Sequence, residues 1–101
     1  MFNGIIESIG KIKSLSQTEG DIDLTISYDE SIFNDISNGD SIAINGICLT
    51  LKKYNSKFLY FDVSIETNSR TSGFKVAQNV NLERSLKFNG RISGHFVSGH
   101  I

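Results

Sequence analysis

The sequence contains no proline, one cysteine and no long apolar run, and each of these shortages excludes something. Without proline, the turns depend on Gly, Asn, Asp and Ser. The single cysteine, Cys48, cannot form an internal disulfide, so we expect a protein of the reducing cytoplasm. With only two histidines beside it, this cysteine does not make a zinc site. The apolar runs are too short for a transmembrane helix, and the N-terminus lacks the basic and apolar regions of a secretory signal.

Charges of the two signs are balanced and dispersed. Ten basic and eleven acidic residues give a formal net charge of -1 at pH 7, and no block of like charges occurs. This pattern excludes the electrostatic footprint of a nucleic-acid-binding protein or of a polybasic membrane-binding segment. The length of 101 residues and the hydrophobic content of 39% suit one soluble domain with a single core.

Short segments of alternating apolar and polar residues predict an all-β protein. The predicted strands cover residues 2–7, 10–15, 22–28, 41–44, 47–52, 58–63, 80–84 and 94–101. The connection "DESIFNDI" spaces Ile32, Phe33 and Ile36 as in one or two helical turns, and "ETNSRTSG" is a second candidate. Six or seven strands with one or two short helices favour a small closed barrel, because closure removes exposed strand edges.

The stretch "GDSIAINGICLTL" predicts a hairpin. Asn45-Gly46 between two apolar runs is typical of a two-residue type I′ turn, in which both central residues have positive φ. Pairing about this turn would place four residue pairs opposite each other: Ile44 and Ile47, Ala43 and Cys48, Ile42 and Leu49, Ser41 and Thr50. One face of the hairpin then consists of Ile and Leu and belongs to the core.

The opposite face of the hairpin carries only small, uncharged side chains, from Ser41, Ala43, Cys48 and Thr50. Periodicity leaves open whether this face is a solvated exterior, lies under a loop, or serves a function.

The chain also ends on "GHFVSGHI", in the middle of an apolar pattern and without a polar tail. We therefore expect that more protein normally follows Ile101.

Five motifs in order, "MFNGIIE", "GDSIAINGICLTL", "FDVSIET", "VNLER" and "RISGHFVSGHI", are similar to the N-terminal lumazine-binding barrel of the riboflavin synthase family. The resemblance covers residues 1–101. It implies a small closed six-stranded Greek-key barrel with one or two short helices. It also implies that the chain is the N-terminal half of a two-barrel protein whose C-terminal barrel is absent here.

The resemblance implies an activity as well. Enzymes of this family are transferases that dismutate two molecules of 6,7-dimethyl-8-ribityllumazine to riboflavin and a pyrimidinedione, without a metal or redox cofactor. Their catalytic site lies between the N-terminal barrel of one subunit and the C-terminal barrel of another. We therefore expect this half to bind lumazine or riboflavin with little or no turnover. A homodimer is expected for the isolated domain and a trimer for the two-barrel chain.

Two other functions remain open at this point. One is a non-catalytic carrier of lumazine or flavin, like the fluorescent proteins that resemble this enzyme. The other is an interaction barrel without a ligand, in which the uncharged hairpin face is a protein interface.

The resemblance also assigns residues. It implies ligand contacts, largely through the main chain, from Gly4, Ile5, Ile6, Cys48, Leu49, Thr50, Asp62, Val63, Ser64, Ile65, Glu66 and Thr67. Glu66 and Thr67 suit the ribityl hydroxyls. Ser41, Cys48 and His100 would be this barrel's contributions to catalysis.

The roles of Cys48 and the histidines need a choice between alternatives. Cys48 is a nucleophile or, as we expect, a small buried thiol that touches the ring, since no neighbouring cation is evident to lower its pKa. His95 and His100 are separated by an odd number of residues, so they point to opposite faces of a regular strand. We assign His95 a structural role and His100 an acid–base role.

Overall fold

The computed structural model describes residues 2–18, 20–64 and 73–86, and these form one closed barrel of six antiparallel strands. The strands are β1 (Ser8–Thr18), β2 (Asp21–Ser27), β3 (Ser41–Ile44), β4 (Ile47–Tyr54), β5 (Phe58–Ser64) and β6 (Asn79–Arg84). Their order around the barrel is β1-β2-β5-β4-β3-β6, and β6 pairs again with β1. The prediction of a closed six-stranded barrel is confirmed.

Closure of the barrel depends on the length of β1. Its first residues pair with β6, from Ser8↔Leu82 to Lys11↔Asn79, and its remainder pairs with β2 as far as Thr18↔Asp21. The register with β2 shifts between Ile12 and Ser14, which indicates a β-bulge at Lys13. A bulge bends a strand and increases its twist, so one strand of 11 residues serves two neighbours.

The interior is filled by the apolar residues of the alternating pattern. The largest fully buried side chains are Phe33, Phe61, Ile12, Leu24, Ile26, Ile42, Ile44, Leu51, Leu59, Leu82, Val63 and Val80. Burial of each such side chain contributes about 1.5–3 kcal/mol relative to an exposed position. Phe33 comes from a loop and not from a strand, and the loops also add Ile36 and Phe74 to the same cluster. The core face predicted for the hairpin is confirmed at Ile42, Ile44 and Leu49, and Ile47 packs partly against it.

Two predicted elements differ from the structure. Residues 2–7 do not form a strand, although Glu7 N–H donates to the Leu82 carbonyl at 2.9 Å just before β1 begins. The described residues contain no helix: "DESIFNDI" forms only a turn, in which Phe33 N–H donates to the Asp29 carbonyl at 2.9 Å. The predicted strand 94–101 and the candidate helix in "ETNSRTSG" lie outside the described residues. No helix of the described ranges is long and apolar enough to cross a membrane.

Candidate functional site

The hairpin of β3 and β4 has the predicted geometry. Asn45 and Gly46 have φ values of 51° and 83°, as a type I′ turn requires. The register is Ile44↔Ile47, Ala43↔Cys48, Ile42↔Leu49 and Ser41↔Thr50. The turn is anchored to β6, because Asn81 N–H donates to the Asn45 side-chain oxygen at 2.7 Å.

The small, uncharged side chains of this hairpin lie on the outside of the barrel, in two different environments. Cys48 and Thr50 are exposed and Ser41 is half-buried. The prediction of a buried thiol at Cys48 is therefore wrong for this structure, because no described residue covers the Cys48 side chain. Ala43, by contrast, is only 4% exposed.

The chain's own N-terminal segment accounts for the burial of Ala43. Glu83 of β6 lies directly opposite Ala43, and its Oε2 accepts hydrogen bonds from Asn3 N–H at 2.8 Å and Gly4 N–H at 3.1 Å. The segment therefore crosses the outer face of β3 and β6. Between segment and sheet lies a cavity of about 190 Å³, lined by Gly4, Ile6, Ala43, Gly46, Asn81, Leu82 and Glu83. This cavity is smaller than the roughly 300–1,000 Å³ of a typical ligand pocket, so alone it would hold only part of a ligand.

Peptide groups of Cys48 and Thr50 are directed away from β3. Leu51 N–H donates to the Asp40 carbonyl at 2.8 Å, and Gly39 N–H donates to the Leu51 carbonyl at 2.7 Å. The peptide groups of Leu51 therefore face the β3 side of the strand. Because this direction alternates along an antiparallel strand, the peptide groups of Cys48 and Thr50 face the other side, toward β5.

On β5, the peptide groups of Asp62 and Ser64 face β4. Tyr28 N–H donates to the Lys57 carbonyl at 3.1 Å, in register with the regular β2–β5 pairing from Ser27↔Phe58 to Asp21↔Ser64. The carbonyl of Lys57, just before β5, therefore faces β2. Because the direction of the peptide groups alternates along a strand, those of Val63 also face β2. The peptide groups of Asp62 and Ser64 point the other way, toward β4.

The ladder between β4 and β5 ends where these two sets of peptide groups meet. The strands pair at Tyr54↔Leu59, Lys53↔Tyr60 and Leu51↔Phe61, with a register shift between Leu51 and Lys53. Within the described ranges, the register does not extend to residues 47–50 and 62–64. The peptide groups of Leu51 face β3 and, by alternation, those of Phe61 face β2, so this last pair is not itself hydrogen-bonded. The peptide groups of Thr50 and Asp62 are the next to face each other, followed by those of Cys48 and Ser64. A flat heterocycle with donors and acceptors at its edge matches such an arrangement.

Asp62 also belongs to a charged group on the outer face of β2, β5 and β4. Lys52 Nζ lies 3.4 Å from Asp62 Oδ1. Asp23 is the cross-strand partner of Asp62, and the pKa of Asp23 is raised, mainly by a side-chain hydrogen bond with Asp62 and then by partial desolvation. The charge of Lys52 opposes this rise. The hydrogen bond to Asp62 thus stabilises the protonated form of Asp23.

A raised carboxyl pKa makes the contribution of Asp23 to stability depend on pH. This contribution is fully present below pH 3.8, the pKa of Asp23 in the unfolded chain, and is lost as the pH rises through the raised pKa of the folded protein. Asp23→Asn keeps a donor to Asp62 and removes the repulsion. We expect the variant's thermal midpoint to exceed that of the wild type near pH 7, by a margin that shrinks toward pH 4. Glu30→Gln makes the same change of charge at an exposed site and should show no such trend. A gain for Asp23→Asn that is constant with pH would contradict the assignment.

The structure brings most of the described candidate residues to the same side of the barrel. Gly4, Ile5 and Ile6 lie in the crossing segment, and Ser41, Cys48 and Thr50 lie on the adjacent strands. Leu49 and Val63 have buried side chains, so they can offer only peptide groups, which is the kind of contact predicted for them. Asp62 and Ser64 are exposed at the end of β5. The remaining candidates, Ile65, Glu66, Thr67 and His100, and also His95, lie outside the described residues.

Sequence reasoning missed the part played by Glu83 and Arg84. Arg84 donates to the Glu7 carboxylate from its backbone N–H, Nε and Nη2, at 2.7–2.8 Å, and from Nη1 to the Asn34 carbonyl at 2.6 Å. The hydrogen bond to Glu7 is the main reason that the pKa of Arg84 is raised. The only local signal was a Glu-Arg pair at the end of an otherwise uncharged strand motif, "VNLER".

Comparison with known proteins shows which family the chain resembles. The family model described as lumazine binding domain matches residues 3–85. The riboflavin synthase of Photobacterium phosphoreum is 44% identical over 103 residues, covering 100% of this chain and 47% of the relative. The chain thus spans about half the length of the curated relatives it matches.

Two solved structures have a similar fold. The crystal structure of LumP complexed with 6,7-dimethyl-8-(1'-D-ribityl) lumazine is 28% identical, with a TM-score of 0.73 over 84% of this chain and 49% of that chain. The complex of LumP with riboflavin is 27% identical, with a TM-score of 0.76 over 89% of this chain and 50% of that chain. The resemblance noted in the sequence is confirmed, and since the family model covers most of its length, the chain belongs to the lumazine-binding domain family.

Proposed function

We propose that this chain is the N-terminal, ligand-binding half of a riboflavin synthase and that its ligands are 6,7-dimethyl-8-ribityllumazine and riboflavin. The observation that carries the proposal is the end of the β4–β5 ladder at Leu51↔Phe61. Beyond it, the peptide groups of Cys48 and Thr50 face those of Asp62 and Ser64. These are two of the three segments that the family resemblance implicates in binding, and the third, residues 4–6, crosses the adjacent strands.

The ring would be held mainly by peptide groups in this arrangement. A lumazine is flat, with a largely apolar face and hydrogen-bonding atoms along its edge, so it suits a slot between two strand ends. The small side chains of Ser41, Cys48 and Thr50 leave room beside that slot. We assign the ribityl chain to Glu66 and Thr67, and the catalytic contributions of this half to Ser41, Cys48 and His100.

The proposed reaction needs two ligands. One lumazine donates a four-carbon unit to the other, which becomes riboflavin, and the donor leaves as a pyrimidinedione. The methyl group on C7 of the lumazine is acidic because its anion is delocalised over the ring, so the protein needs chiefly to stabilise that anion and to hold two rings together. Proximity of two bound reactants contributes roughly 7–11 kcal/mol at best. One barrel supplies one ring site, so we propose that the second ring is held by another barrel.

Oligomerisation is part of the proposal. Ile5, Ile6 and Ile9 are large apolar residues that are more than half exposed. Such a surface favours a two-fold homodimer of the isolated domain, and the two-barrel chain is proposed to form a trimer. The transferase class and the cytoplasmic location also remain predictions.

Identity to known proteins favours the enzyme over a carrier. The chain is 44% identical to the Photobacterium phosphoreum riboflavin synthase and 28% identical to LumP in its lumazine complex. A carrier role would require only the ring site, whereas the enzyme requires a second barrel that completes it.

Titration with riboflavin tests the binding step. We expect the purified 101-residue chain to change the fluorescence of riboflavin saturably and to give no steady formation of riboflavin from 6,7-dimethyl-8-ribityllumazine. The same chain unfolded in denaturant is the control for nonspecific quenching. Absence of binding would favour the ligand-free interaction barrel, and sustained turnover would refute the claim that a second barrel is needed.

A further inference from the structure

Glu83 is the one charged side chain that is buried in the described part of the chain, with 8% of its surface exposed. It does not point into the core: on β6 the core positions are Val80 and Leu82, and Glu83 lies opposite Ala43 on the outer face. Its burial results from the N-terminal segment that lies over it. Burying a carboxylate costs free energy, and an apolar residue would cover Ala43 without that cost. A role beyond packing is therefore indicated.

The Glu83 carboxylate fixes the start of the N-terminal segment. Its Oε2 accepts from two consecutive peptide N–H groups, those of Asn3 at 2.8 Å and Gly4 at 3.1 Å. These groups have no strand partner, because residues 2–7 do not form a strand. Gly4 has a φ of 79°, which glycine adopts without strain, and the Asn3 side chain accepts from Ile5 N–H at 3.1 Å. Hydrogen bonds to an ionised acceptor are about twice as strong as neutral ones.

The next residue of β6 fixes the end of the same segment. Glu7 N–H donates to the Leu82 carbonyl at 2.9 Å, and the Glu7 carboxylate is bound bidentately by the Arg84 guanidinium. Gly4, Ile5 and Ile6 therefore span two fixed points on neighbouring residues of one strand. The side chains of Ile5 and Ile6 are 61% and 55% exposed, so core packing does not determine their position.

We infer that Glu83 is a positioning residue for ligand binding: its carboxylate holds residues 4–6 in the conformation in which their peptide groups meet the ring. The inference rests on the proposed function, since it assumes that residues 4–6 contact the ligand. Glu83 itself does not touch the ligand in this arrangement. Its effect on affinity passes through the peptide groups of Asn3 and Gly4.

Two substitutions of similar size separate hydrogen bonding from packing. Glu83→Met keeps the volume and removes the acceptor, whereas Glu83→Gln keeps an acceptor oxygen without the charge. We expect Glu83→Met to raise amide hydrogen exchange of Asn3 and Gly4 about tenfold without ligand, and to raise the Kd for riboflavin about tenfold, equivalent to about 1.4 kcal/mol. Glu83→Gln keeps a weaker, neutral acceptor, so it should show rises of only about threefold in both. Glu30→Met, at an exposed site in the turn after β2, is the matched control and should change neither.

Each outcome of this experiment decides a separate question. Unchanged exchange at Asn3 and Gly4 in Glu83→Met, or faster exchange with an unchanged Kd, would overturn the positioning role. Failure of the wild type to bind riboflavin would overturn the proposed function, while the exchange data alone would still report whether Glu83 holds the segment. If Glu83→Met does not fold, Glu83→Gln decides: a rise of about threefold in exchange and Kd supports the role, and no change overturns it.

Discussion

Phe33→Ala is expected to lower the free energy of unfolding by about 3–5 kcal/mol, a large part of the roughly 5–15 kcal/mol that stabilises a domain of this size. Phe33 is 0% exposed, although it lies in a loop between β2 and β3. Its ring and that of Tyr28 form a T-shaped pair with a centroid distance of 6.3 Å, and the Arg84 guanidinium lies 5.8 Å from the Phe33 centroid. Truncation would remove both contacts and leave a cavity in the core.

Ile32→Ala, the neighbouring position in the same turn, is the matched control. Ile32 is 58% exposed, so its truncation should cost less than about 0.5 kcal/mol. Denaturant unfolding followed by circular dichroism measures both variants, with equal slopes required for a valid comparison. Equal losses at the two positions would show that the turn is oriented differently from the structure described here.

Phe33 also connects the core to the proposed site. Arg84 lies over its ring, donates to the Asn34 carbonyl, and holds Glu7 at the end of the N-terminal segment. Phe33→Leu keeps most of the apolar volume and removes the aromatic face. Comparison of Phe33→Leu with Phe33→Ala would therefore separate the part of the effect that passes through Arg84 from the part due to the cavity.

The hairpin could be predicted residue by residue because its determinants are local. Asn45 and Gly46 select the turn, the turn sets the register, and strand alternation then assigns each side chain to a face. All four predicted pairs occur in the structure. The direction of the peptide groups of Cys48 and Thr50 follows from the same register.

The two wrong elements have different causes, one distant and one local. Residues 2–7 alternate like a strand, but Gly4 with positive φ and the hydrogen bonds to Glu83, 79 and 80 residues away, hold them in another conformation. The candidate helix fails for a local reason instead: Asp29 accepts from Ser31 N–H and Oγ at its first turn, but Asp35 has a φ of 58°. A residue with positive φ ends a helix, and the spacing of apolar residues in the sequence does not reveal where such a residue occurs.

The candidate site was predictable as a set of segments but not as a geometry. Family resemblance implied residues 4–6, 48–50 and 62–67, of which 65–67 lie outside the described residues. The end of the β4–β5 ladder, by contrast, depends on the register shift between Leu51 and Lys53. The burial of Ala43 and Glu83 under the N-terminal segment is also a tertiary effect. Exposure of Cys48 follows from that segment's path, which covers Ala43 and not the neighbouring strand.

Thr50→Pro tests whether the ring is bound by peptide groups. The substitution removes the one N–H of Thr50, which faces β5 and not β3, so the β3–β4 ladder keeps its bonds. An unpaired ligand acceptor costs about 1–3 kcal/mol, and the proline ring adds a steric term, so we expect riboflavin binding to weaken about 100-fold. Thr50→Ala keeps the N–H and removes only the hydroxyl, and it should weaken binding about threefold or less. Flavin fluorescence titration gives both values, and thermal unfolding verifies that each variant is folded.

A second measurement does not depend on a proline in a strand. In the wild type, the amide protons of Cys48 and Thr50 should shift downfield when riboflavin is added, because each would acquire an acceptor, whereas the amide proton of Leu49 already faces β3 and should move little. This difference between neighbouring residues is specific to binding between strand ends, since a ligand that only covered the outer face would disturb all three alike. Equal shifts along residues 48–50, together with equal losses of affinity in Thr50→Pro and Thr50→Ala, would place the ligand against the side chains and exclude the slot.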